Sequence, residues 1–100
     1  MRREGGVLTG PLIVSEELEF SGVSPYAINV KQGGLLHLFG ICSGNLVIEV
    51  GGRALIFGMV TGVVVNRGHI EIHGTLEHEV LNEGGAVKVL PGSVIAGHRW

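Results

Sequence analysis

The sequence predicts an all-β chain: a single-domain parallel β-helix (β-solenoid) of about five and a half triangular, right-handed coils, each of about 16–18 residues. Three observations carry this. Recurring glycines cut the chain into segments of 18, 18, 16 and 17 residues. Apolar residues alternate at the same positions in each segment, as the inward face of a strand requires. Every apolar run is short, about three to five residues, which suits one side of a coil and not an independent hairpin sheet.

The elements follow in order within one domain spanning 1–100. Residues 5–16 form a partial coil, because Val7-Leu8-Thr9-Gly10 matches Ile41-Cys42-Ser43-Gly44 and Met59-Val60-Thr61-Gly62. Coils then run 17–34 (ELEFSGVSPYAINVKQGG), 35–52 (LLHLFGICSGNLVIEVGG), 53–68 (RALIFGMVTGVVVNRG) and 69–85 (HIEIHGTLEHEVLNEGG). An incomplete coil, 86–100, reads AVKVLPGSVIAGHRW. The second residue of each coil is Leu18, Leu36, Ala54, Ile70 or Val87; the fourth is Phe20, Leu38, Ile56, Ile72 or Val89. These two columns point inward. The sixth residue is Gly22, Gly40, Gly58 or Gly74, with Pro91 in the last coil, and marks a corner where the backbone bends in ways a Cβ disfavours. A second short run follows, then a corner at Gly10, Gly44 or Gly62. A third run follows that: Leu12-Ile13-Val14, Leu46-Val47-Ile48, Val63-Val64-Val65.

One coil cannot bury its own inward residues. Stacked coils at ~4.8 Å spacing can, and they make a rod roughly 26 Å long. The right hand follows from the general chirality of parallel crossovers, and the six-residue spacing of left-handed hexapeptide solenoids is absent. Amphipathic helices are excluded because the glycines leave no 3.6-residue stripe and β-branched residues dominate. A hairpin sandwich needs turn pairs such as Asn-Gly, and the sequence has none.

Composition narrows function by exclusion. Gly is 18 of 100 residues, with no collagen-type period. The net charge of −2 and the lack of a basic run argue against nucleic acid and against a charged membrane surface. No apolar stretch approaches the roughly 18–20 residues of a membrane helix, and no signal peptide follows Arg2 and Arg3. Cys42 is a lone cysteine, so no internal disulfide is expected, and the default location is cytoplasmic.

Few residues invite chemistry. His69, Glu71 and His73 share one strand face, but neighbours two apart on a strand lie more than ~6 Å apart, too far for all three to reach one ion. A polar outer face with a Glu71–Lys88 pair between coils is the expectation, and no metal or other cofactor. Cys42 falls in a column with Leu8, Ser24, Val60, Leu76 and Ser93, which reads as a buried structural thiol lacking a base. Asn66 and Asn82 either stack as an amide ladder or serve as separate turn residues. The glycines match no phosphate-binding motif. Glu77 and Glu79 face no acid on the neighbouring coil, unlike the paired carboxylates of solenoid polysaccharide enzymes, so no catalytic residue is assigned.

The outward columns say most. Phe39, Leu55 and Phe57 make an apolar patch across two coils, and Val47, Val63, Val65 and Leu81 point outward on the third side if Leu46, Val64 and Val80 point in. Contiguous exposed apolar surface marks an interface, so these seven residues are the candidate oligomer interface. Open coil ends would also invite pairing with another copy. Arg2 to Glu4 and the departure from the repeat at Ala96 to Trp100 are the features that bear on that, with Trp100 placed to cover the last coil.

The run from Gly58 to Ile95 resembles the bactofilins, bacterial polymer-forming cytoskeletal proteins. The phrases that carry the resemblance are Gly58-Met59-Val60-Thr61-Gly62, Gly74-Thr75-Leu76-Glu77 and Pro91-Gly92-Ser93-Val94-Ile95. It implies a right-handed β-helix that polymerises end to end without nucleotide and scaffolds other proteins, often at a membrane. The leading expectation is a non-catalytic, self-associating scaffold: a homo-oligomer through apolar sides, or a filament through coil ends. The alternative is a module that binds a different protein through one side, as an inhibitor or immunity factor does. A carbohydrate-active or metal-binding role ranks last.

Overall fold

The computed structural model describes residues 2–100. They form a β-solenoid of about five turns, with no helix among the described residues. The first side stacks Arg2–Glu4, Glu17–Phe20, Leu35–Leu38, Arg53–Ile56, His69–Ile72 and Ala86–Val89, all parallel. The third side stacks Leu12–Val14, Ile28–Val30, Leu46–Ile48, Val64–Asn66 and Val80–Asn82, also parallel. The second side is built of two-residue strands, Val23–Ser24, Ile41–Cys42, Met59–Val60, Thr75–Leu76 and Val94–Ile95, and ends in His98–Arg99.

The register reproduces the inward columns read from the sequence. Leu18, Leu36, Ala54, Ile70 and Val87 are successive partners, as are Phe20, Leu38, Ile56, Ile72 and Val89. From Leu18 to Ile72 both columns are buried, and Leu46, Ile48 and Val64 meet them from the third side. Burying one such side chain is worth ~1.5–3 kcal/mol, so stability accumulates coil by coil and no coil stands alone. Length variation sits in the corners. The third corner runs Lys31 to Gly34, Glu49 to Gly52, then only Arg67-Gly68, so coils of different length keep one strand register.

The structure corrects several details. Arg2–Glu4 already pairs with Leu18 to Phe20, so the first coil starts with its first-side strand rather than at Gly5. The sixth-position glycines are needed for close approach, not for an unusual bend: a Cβ on Gly58 would fall on the carbonyl oxygen of Gly40 in the preceding coil. Left-handed backbone occurs at the third corner, where Gly33 has φ 81° and Gly51 φ 84°, and at the first corner only in the end coils, at Gly6 and Gly92. Pro91 does not simply replace the corner glycine. Val94 pairs with Thr75, so the last first-side corner is longer by two residues. Ser93 turns inward and sets its hydroxyl 2.7 Å from the carbonyl oxygens of both Ile72 and Leu90, which share its single proton. The third-side strand of the fourth coil is Val64–Asn66, one residue later than the run Val63 to Val65.

Charge occupies the inward columns at one end. Arg2 aligns with Leu18 and Glu4 with Phe20, and the two form a 2.6 Å ion pair, with Glu16 3.0 Å from the same guanidinium. At the other end Ala96 and Gly97 both have positive φ, 51° and 78°, the two-residue turn that suits a hairpin. His98–Arg99 therefore runs antiparallel to Val94–Ile95. Trp100 follows this strand, with backbone bonds to Gly92 and Ser93, and is itself 58% exposed.

Candidate functional site

The outward face of the first side is built on alternation: residues flanking the buried pair in each four-residue strand must point to solvent. Phe39 and Phe57 occupy one such column and stack nearly parallel, with ring centroids 4.8 Å apart and planes 8° apart. His73, one coil on, stacks on Phe57 at 4.5 Å. Solenoid spacing makes this continuous ladder of three rings possible, because equivalent residues repeat at about the thickness of an aromatic contact. Phe39 is 49% exposed and Phe57 38%. Leu55 is half-buried between His37 and Glu71 in the neighbouring column.

Glu71 does not pair with Lys88 as expected. Its carboxylate is bonded to His73 Nε2 at 2.7 Å along the same strand, which holds the ring in the aromatic ladder. His37 contacts Glu17 at 3.1 Å across to the preceding coil. No group of three His, Cys, Asp or Glu side chains among the described residues could hold a metal ion.

On the third side the outward column is Ile13, Asn29, Val47, Val65 and Leu81, each the register partner of the next. Ile13 and Leu81 are largely exposed, while Val47 and Val65 are half-buried between them. Val63 lies outside this column. It sits at the second corner, where its N–H donates to Asn45 Oδ1 at 3.0 Å. Sequence reading aligned Leu12-Ile13-Val14 with the other third-side runs but did not extend the apolar column to Ile13, because the polar Asn29 lies between it and Val47. It also missed Val23 and Ile41, the exposed second-side residues around the corner from Phe39. Their alternation over two-residue strands was too short to recognise.

Two positions further along, just past the end of each third-side strand, runs a column of alternating charge. Lys31 Nζ lies 3.9 Å from Glu49, Arg67 Nη1 lies 3.3 Å from Glu49, and Arg67 Nε donates to Glu83 at 2.8 Å. Glu83 and then Glu49 push the Arg67 guanidinium still further into its charged form.

Cys42 is fully buried, with Ser24, Val60, Leu76 and Ile95 in its column; Ile95 takes the place expected for Ser93. Its thiol donates to Gly44 O at 3.3 Å, and burial pushes its pKa up to about 11. A shallow cleft is lined by Glu79, Ile95, Ala96, His98 and Trp100. No helix among the described residues is long and apolar enough to cross a membrane.

No protein-family model matches the chain, and no curated protein or solved structure gives a significant match to it.

Proposed function

We propose that this protein is a non-catalytic, self-associating scaffold, a homo-oligomer held through the long sides of its solenoid. The observation that carries this is the outward register of apolar side chains: Phe39 stacked on Phe57 on one side, and Ile13, Val47, Val65 and Leu81 aligned on another. Such columns lose hydration cost when another flat side covers them. The molecule measures 30 × 25 × 20 Å, so no side much exceeds about 750 Å². A stable homodimer takes roughly 800 Å² from each partner, which means most of a side must be used.

Side-to-side association is favoured over a head-to-tail filament by the charged end. Another copy stacked there would have to desolvate the Arg2–Glu4 pair against apolar neighbours. Kinship with the bactofilins is proposed on coil architecture alone, and a cytoplasmic location on the lone buried thiol of Cys42. Gel filtration of Phe57→Glu and Val65→Glu beside wild type tests the reading. At least one of these charges should shift a wild-type oligomer to the 10.5 kDa monomer. Unchanged elution of both would reject both sides as contacts, and a monomeric wild type would leave binding to a different protein as the better reading.

A further inference from the structure

The charged column beside the third-side apolar strip has an order that matters for pairing. Read along the solenoid axis it is Lys31, Glu49, Arg67, Glu83: plus, minus, plus, minus. These side chains belong to the same outward alternation as Asn29, Val47, Val65 and Leu81 and lie at the edge of that strip. Reversing the order inverts every sign. A two-fold axis that makes a side contact itself lies in the plane of contact. If that axis runs along the solenoid, the two charged columns go to opposite edges of the interface and never meet. If it runs across the solenoid, the copies are antiparallel and the two columns face each other in opposite order.

From this we infer that the third side is the self-association surface and that its occupant is a second, antiparallel copy of this chain, an inference resting on the scaffold reading above. With the axis between the Glu49 and Arg67 coils, Lys31 faces the partner's Glu83 and Glu49 faces the partner's Arg67, each twice by symmetry. Val47 then packs against the partner's Val65 at the centre, and Leu81 against the partner's Asn29. Apolar columns supply the affinity. The exposed charges at the rim fix orientation and register, since rim charges add little energy when matched but are costly when like faces like. The four charges are only partly used within one chain: Lys31 has a single partner at 3.9 Å, and each carboxylate keeps further acceptor sites.

The test uses two full-length variants at low ionic strength. Lys31→Glu/Glu49→Lys reads minus, plus, plus, minus, and Arg67→Glu/Glu83→Arg reads plus, minus, minus, plus. Each meets like charge at all four contacts with its own copy, yet the two complement each other completely. By light scattering each variant alone should be a 10.5 kDa monomer, and an equimolar mixture should double that mass. Circular dichroism confirms that both are folded. Variants that each still dimerise, or a mixture that stays monomeric, would overturn the antiparallel assignment. A monomeric wild type would instead overturn the scaffold reading beneath it. If a variant does not fold, wild-type protein supplies the answer through zero-length carbodiimide coupling. Lys31 and Glu83 are three coils apart in one chain, about 14 Å, so a Lys31–Glu83 crosslink arises only between copies. It is expected in the dimer band, and its absence from a crosslinked dimer contradicts the arrangement.

Discussion

At the scale of single residues, the glycines of ordinary φ divide into two kinds that look alike in sequence. Gly58 is required by the coil beneath it, since a Cβ there meets the backbone of Phe39 and Gly40. Gly10 has open space around its missing Cβ and ordinary φ. Gly58→Ala should therefore cost about 3 kcal/mol or more, and Gly10→Ala about 0.5 kcal/mol or less, measured by thermal unfolding. Equal losses would refute close stacking as the reason for the sixth-position glycine. Cys42 gives a second prediction. Burial holds its pKa near 11 against an ordinary 9.0, so the folded state keeps the proton to higher pH than the unfolded state. Stability is thus fully present below about pH 9 and falls on the order of 2 kcal/mol as pH rises toward 11. Iodoacetamide at pH 8 should label Cys42 only after unfolding in urea; rapid labelling of native protein would contradict a buried thiol.

At the scale of elements, ladders between equivalent positions distinguish this molecule from a set of independent turns. Asn66 Nδ2 donates to Asn82 Oδ1 at 3.0 Å and to Ala86 O at 3.0 Å, while Asn82 Nδ2 donates to Gly85 O at 2.9 Å. The two asparagines thus form the amide ladder and also serve the corner. Asn82→Ala removes the ladder acceptor and the corner donor together and should cost about 1 kcal/mol in chemical denaturation. No loss would mean the amides contribute only as exposed turn residues. The strands and inward columns were legible because a period-two pattern repeated five times leaves little freedom of register. The corners were not. The third corner and the last first-side corner change length from coil to coil, which misplaced Ser93 and Ile95 by two residues. The partner of Glu71 was illegible for a different reason: column order names the nearest residue on the next coil, but the rotamer of His73 brings its ring within reach along the strand.

At the scale of the whole molecule, the two ends and the long sides have opposite character. Arg2 and Glu4 sit where apolar residues would extend the core, and His98–Arg99 turns back antiparallel across the second side. The long sides instead carry aligned apolar residues that the fold itself does not use, from Phe39 and Phe57 to Val47, Val65 and Leu81. Exposed apolar columns of this kind were readable from the sequence once the inward phase was known. Their extent was not, because Ile13, Val23 and Ile41 join them only through the register of short strands. The most direct test of self-association is the mass of wild-type protein by size-exclusion chromatography with light scattering over a hundredfold range of concentration. A discrete multiple of 10.5 kDa, constant over the upper part of that range, is the predicted result; a monodisperse monomer throughout would contradict it.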